Sequence, residues 1–194
     1  MKKKTFRNLE ICGVAVCFLI WLILHNVNSF ENDHLINVMF GSANNSIWES
    51  LKIILLACLF WSVIELCWAK PYFRKFVVVK TLSLYIWGTA YCLSITTLRI
   101  FGITVDLLWE VLSVAVFSLL FHFFSYKMMK KPWDLRGLFF PCLFLLLLFS
   151  VIYVCFTPYP PRFPAFYDFE NKLYGIIPSD FDRGAIFLDS LYGK

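Results

Sequence analysis

Five long apolar stretches alternate with short polar gaps along the chain: Leu9 to Val27, Ile47 to Ala69, Phe76 to Leu98, Val105 to Tyr126 and Leu138 to Phe156. At about 1.5 Å of rise per helical residue, each covers a hydrocarbon core of about 30 Å with modest tilt or local thinning. The pattern predicts an all-α integral membrane protein, a bundle of five transmembrane helices spanning 1–156. The remainder, 157–194, reads as a tail of different character. The gaps at 70–75 and 127–137 are short, which predicts the second and third helices as antiparallel neighbours, and likewise the fourth and fifth.

Composition agrees with the class. Hydrophobic residues make up 60% of the chain and charged ones only 16%, too little polar surface to keep a soluble globule of this size in water. The net charge of +5 says more by position than by sum. Lys2, Lys3, Lys4 and Arg7 precede the first span, Lys70, Arg74 and Lys75 follow the second, and Lys127, Lys130, Lys131 and Arg136 follow the fourth. The gap from Asn28 to Ser46 has no Lys or Arg, and that from Arg99 to Thr104 has only Arg99. This asymmetry predicts a cytoplasmic amino terminus, two cytoplasmic basic loops and an extracytoplasmic tail in a multi-pass protein of the cell membrane. The basic face suits anionic lipid head groups, and nucleic acid is not an expected partner. The first span is read as a retained helix rather than a secretory signal, because its apolar core is long and no Ala-x-Ala site follows it.

The loops add detail. Glu31, Asp33 and His34 precede the apolar run Leu35 to Phe40, too short to span; it is assigned to the membrane interface, with a re-entrant segment as the alternative. The tail opens with Thr157-Pro158-Tyr159-Pro160-Pro161-Arg162-Phe163-Pro164, extended because proline fixes its own backbone angle and disfavours helix in the residue before it. Phe163, Phe166, Tyr167, Phe169 and Tyr174 follow, an aromatic surface expected to pack on the outer mouth of the bundle or to sit among head groups.

Charges within the spans carry the functional signal, since each is costly in lipid and needs a partner or a purpose. Ser46-Ile47-Trp48-Glu49 has the form of a capping box, with the serine accepting from the Glu49 amide and the glutamate reaching back. Trp48 then serves as an interface anchor. The same helix start, with its exposed amides and Lys52 one turn further in, has the features of an anion-receiving site. Lys52 and Glu110 lie at similar depth and are expected to pair. Near the other face, Glu65 and Lys80 flank the basic hairpin and are expected to form a structural ion pair, while His122, among Phe121, Phe123 and Phe124, reads as a packed residue. The candidate ligand-binding residues are Asn45, Ser46, Trp48, Glu49, Lys52 and Glu110.

Metal and cofactor signals are weak. Cys12, Cys17, Cys58, Cys67, Cys92, Cys142 and Cys155 all fall in apolar stretches without a Cys-x-x-Cys pair, and are read as small hydrophobes. Leu9-Glu10-Ile11-Cys12 lies before the apolar core and is not a lipidation site. His25, His34, Glu49, Asp106 and Glu110 share no metal-binding spacing. No cofactor and no metal are expected, and neither a nucleotide loop nor a hydrolase elbow is present in the sequence.

The segment Asn45-Ser46-Ile47-Trp48-Glu49-Ser50-Leu51-Lys52 resembles the hallmark of an uncharacterised family of small polytopic membrane proteins of Gram-positive bacteria. Pro160-Pro161, Phe166-Tyr167-Asp168 and Tyr174-Gly175-Ile176 resemble that family's ending. A histidine commonly follows the Trp-Glu pair in that pattern, whereas Ser50 stands here, which argues against a metal or proton role at the position. The resemblance implies an architecture and a site region but no reaction.

Three function classes fit these features. The first is a small transporter or ligand-binding membrane protein with an outer polar pocket for a small polar or anionic ligand. The second is a non-catalytic partner or assembly subunit. The third is an intramembrane or lipid-facing enzyme using Glu49, Glu110 or His34 at the outer surface, disfavoured because no nucleophile and base arrangement is recognisable. Gly13-x-x-x-Cys17 permits close helix contact and a homo-oligomer.

Overall fold

The computed structural model describes residues 3–26, 39–42, 44–103, 105, 107–157, 159–169 and 172–174. Five helices dominate: α1 (Lys3–His25), α2 (Ile47–Ala69), α3 (Phe73–Ile100), α4 (Leu107–Lys130) and α5 (Phe139–Phe156). All five are long and apolar enough to cross a membrane. A single 3-10 turn, Arg136–Leu138, leads into α5, and a second, Pro164–Phe166, leads into a short antiparallel pair, β1 (Tyr167–Asp168) and β2 (Leu173–Tyr174). Tyr167 faces Tyr174 in that pair and Asp168 faces Leu173.

The helices begin and end for identifiable reasons. Ser46 caps α2, its hydroxyl accepting from the Glu49 amide at 3.3 Å. The reciprocal half of the expected capping box is replaced: the Ser46 amide donates to Asn44 Oδ1 at 2.9 Å, and the Glu49 carboxylate turns to Lys52. At the far end, Lys70 adopts a left-handed conformation at φ 45° before Pro71; the turn releases the last carbonyls of α2, and proline cannot donate to continue them. Basic residues lie within helices rather than beyond them, so α1 and α3 start earlier than the apolar stretches at Leu9 and Phe76.

Lateral order is where the fold departs from the loop-length expectation. The helices α1, α2, α3 and α4 close a ring in which α1 packs on α2 and α4, and α3 packs on the same two from the opposite side. The fifth helix lies outside the ring against α3, not as the close neighbour of α4. The connection explains the shift. Lys75 donates to the Lys131 carbonyl, the Arg74 guanidinium sits 5.8 Å from the Phe139 ring, and Phe73 meets Phe139 edge-on at 6.0 Å. Further along, the Tyr85 hydroxyl donates to the Leu145 carbonyl at 2.7 Å. These contacts draw α5 onto the start of α3.

The ring encloses an apolar core of Trp21, Ile54, Leu55, Leu84, Val114 and Phe117. Large apolar side chains also cover the outward faces, among them Phe60, Trp68, Leu93, Phe140, Phe144 and Val151. A helix apolar on all sides is stable only with lipid or protein around it, so the outward faces mark an integral membrane protein.

Candidate functional site

Two polar clusters interrupt this apolar bundle, one towards each end. The first lies towards the Ala69 end, where α1 and α3 begin and α2 and α4 finish. Lys80 of α3 donates to both oxygens of Glu10 of α1 at 3.1 Å, and its Nζ lies 2.5 Å from Glu65 Oε2 of α2. On the opposite side of Glu10, His122 Nδ1 of α4 lies 2.7 Å from Oε2, and the Ser125 hydroxyl donates to Oε1 at 2.5 Å. Four helices thus contribute to one network, and every member is buried, Glu65 at 0% and His122 at 1% exposure. Aromatic faces complete the cage, with the Lys80 ammonium 5.3 Å from the Phe121 ring and 5.6 Å from that of Phe76.

The sequence permits this approach at one position in particular. A methyl group on Gly13 would lie 2.4 Å from both His122 Cε1 and Trp61 Nε1. The missing side chain lets α2 and α4 close onto the backbone of α1, where Trp61 donates to the Leu9 carbonyl at 3.0 Å and Ser118 to the Val14 carbonyl at 3.0 Å. Glu10 is thereby brought level with His122.

The second cluster lies at the Ser46 end. Lys52, 0% exposed, donates to Glu49 Oε2 at 2.7 Å within α2, and its ammonium sits 5.9 Å from the Tyr153 ring of α5. The expected Lys52 to Glu110 pair is therefore corrected: Glu110 instead accepts from the Ser50 hydroxyl. Residues three apart lie on one helix face, so Glu49 reaches Lys52 without any partner helix. Glu110 is left to face a cavity of about 480 Å³, bounded also by Asn45, Ser46, Tyr91, Arg99 and Phe169.

The tail forms part of this end. Asp168, fully buried, accepts from the Asn45 amide at 3.0 Å. Phe166 packs at a tilt against Trp48 with centroids 5.0 Å apart and meets Phe156 edge-on at 5.7 Å. Trp48 thus anchors the tail to α2, a packing role beyond the interface belt. The Arg99 guanidinium lies 4.6 Å from the Phe169 ring, which fixes one wall of the cavity.

A second, apolar cavity of about 350 Å³ runs between α3 and α4, lined by Trp87, Ala90, Leu98, Trp109, Leu112 and Val116 among others. Tyr91 and Ile95 line both cavities. A polar chamber and an apolar groove therefore share a wall.

Of the candidate residues, Asn45, Ser46 and Glu110 line the polar cavity, whereas Trp48, Glu49 and Lys52 pack beside it. Glu31, Asp33, His34, residues 35–38 of the apolar run and Asp106 lie outside the described residues. His25 lines the cavity, its ring stacked on Trp21 at 5.0 Å, and among the described residues it joins no group of converging ligands. The main omission of the sequence reading was Glu10. Its signal was present, since Glu10, Lys80 and His122 each stand about two turns from the basic end of their helices. Equal depth placed them on one level, although nothing local linked them.

Residues 1–176 match the model of DUF6512, a family of unknown function, and the chain belongs to that family. No curated protein and no solved structure matches it.

Proposed function

We propose that this membrane protein, a member of a family of unknown function, is a binding protein for an amphiphile with a zwitterionic head group. The observation that carries the reading is the wall shared by the two cavities. A head group in the polar chamber meets Glu110 and Arg99, of opposite charge, together with the Ser46 and Ser50 hydroxyls and Asn45. An attached alkyl chain continues past Tyr91 and Ile95 into the apolar groove between Trp87 and Trp109. Polar groups fix orientation and the apolar groove supplies affinity, the usual division in small-molecule sites. The distribution of basic residues supports an extracytoplasmic position for the chamber and a cytoplasmic position for the Ala69 end.

The test uses purified full-length protein in a short-chain maltoside detergent, with lysophosphatidylcholine as the amphiphile and glycerophosphocholine as its head group alone. Native mass spectrometry should show one bound lysolipid and none of the head group. Ala90→Phe, which fills the groove, should abolish binding, and Glu110→Gln should weaken it by about tenfold or more, the scale of a hydrogen bond to a charged group. Equal binding of the head group alone, or wild-type binding by Ala90→Phe, would overturn the reading. Uptake of labelled lysolipid into proteoliposomes then separates a carrier from a receptor.

A further inference from the structure

The Ala69-end network leaves one face of His122 unexplained by ion pairing. Nδ1 faces Glu10 Oε2 at 2.7 Å, and an ionised carboxylate can only accept, so Nδ1 carries the proton. In the neutral ring the lone pair is then on Nε2. That atom lies 3.5 Å from Cys17 Sγ of α1, and the thiol of Cys58 of α2 converges on the same point. The three potential ligand atoms lie within 4.8 Å of one another, and all three residues are buried.

We infer that Cys17, Cys58 and His122 Nε2 form a structural zinc site, with Glu10 orienting the histidine from behind. Zinc bonds of about 2.3 Å to sulfur and about 2.0 Å to nitrogen, at a tetrahedral angle, place sulfur and nitrogen about 3.5 Å apart. The observed Sγ to Nε2 separation is that edge. A carboxylate hydrogen-bonded to the far nitrogen of a metal-bound imidazole is the common support for such a ligand, because it fixes the tautomer and raises ligand basicity. Glu65 Oε1 lies on the other side of the ring, 3.9 Å from His122 Nδ1, so three protein ligands converge on the sulfur side among the described residues.

Two other arrangements are disfavoured by charge. Glu10, Glu65 and His122 also converge, but Lys80 already bridges the two carboxylates, and a cation there would displace it. On the sulfur side, Zn²⁺ forms two Zn–S bonds as two thiol protons leave for solvent, so the buried charge is unchanged. Cu⁺ would leave one further negative charge beside two carboxylates in a medium that penalises it.

The experiment is metal titration of chelator-washed, reduced, full-length protein in detergent, read by elemental analysis and by Co²⁺ absorption. One equivalent of Zn²⁺ should be retained, and Co²⁺ should give a thiolate-to-metal band in the near ultraviolet that Zn²⁺ bleaches. Cys17→Ser and Cys58→Ser should lose the band, and Glu10→Gln should weaken binding by about 10- to 100-fold. Cys92→Ser and Cys142→Ser should bind as wild type. Where a variant fails to fold, the wild-type cobalt spectrum decides: absence of the thiolate band, or of a retained equivalent, overturns the site. Full binding by the Cys17 and Cys58 variants, or retention of Cu⁺ with no Zn²⁺ or Co²⁺, would also overturn it.

Discussion

The two polar clusters differ in how their charges are satisfied. At the Ala69 end, residues from four helices meet in a sealed network in which one lysine holds two carboxylates and a histidine closes the set. At the Ser46 end, Glu49 and Lys52 pair within one helix, and Glu110 faces a chamber of about 480 Å³. The first arrangement spends its charges on fixing which helices are neighbours. The second sets its polar groups around an open chamber. Burial alone does not mark a functional charge; the difference is whether its partners already fill the space around it.

The sharpest way to break this comparison is Lys80→Met, which leaves Glu10 and Glu65 buried without their cation and should cost about 3–5 kcal/mol. Thermal melting in detergent, followed by intrinsic fluorescence, measures it. Partial recovery in the Lys80→Met/Glu65→Gln double variant is expected, and a melt like wild type would contradict the network's structural role.

Lys52→Met removes the cation that Glu49 pairs with and should cost about 3 kcal/mol. Here the rescuing change is Glu49→Gln and not Glu110→Gln, so a double-variant cycle tells the observed pair from the one that depth alone suggests. Gly13→Ala forces a methyl against His122 and Trp61 and should cost about 1–3 kcal/mol, the range for overpacking a filled interior. Its melt should fall while lysolipid binding by the surviving folded protein is retained, because the damage is confined to the Ala69 end.

Asp168→Asn should cost about 1 kcal/mol and act locally, weakening the bond to the Asn45 amide. Hydrogen exchange at residues 163–169 should rise with little change in the global melt. The smallest effect is expected outside the spans. Arg136 forms paired hydrogen bonds to Asp134 and holds that carboxyl below its ordinary value of 3.8. A depressed folded value gives stability that is present above the unfolded value and lost as pH falls through the folded one. The pair is solvent-exposed, so Asp134→Asn should leave the melt at neutral pH unchanged and remove only a slight acid dependence.

Several elements were legible from residue order because their causes are local. The five spans follow from unbroken apolar runs, and the cap of α2 from Ser46 three residues before Glu49; the tail start, expected to be extended, instead bends at residues 159 and 162–163 and enters a 3-10 turn at Pro164–Phe166. Glu65 and Lys80 were suggestive because a short hairpin sets both at one depth. Other features have no local cause. Glu10 and His122 are 112 residues apart, and Glu10 looks unremarkable in the first turns of an apolar helix. Cys17 and Cys58 look like small hydrophobes until α1 and α2 are placed side by side. The position of α5 was hidden for a related reason: loop length limits where a helix can go but does not choose between two reachable neighbours.

By itself the sequence determined that this is a five-helix membrane protein with basic residues gathered at one end, because transfer from water to lipid depends on each segment's own composition and length. Tertiary structure alone decided that Glu10 faces His122, that Lys52 leaves Glu110 to the cavity, and that the chamber borders an apolar groove. Within lipid the outward faces of all five helices are nearly equivalent, so hydrophobicity cannot rank lateral arrangements. The selection falls to specific contacts such as the Gly13 approach and the shared ionic network, and these exist only once the helices have met.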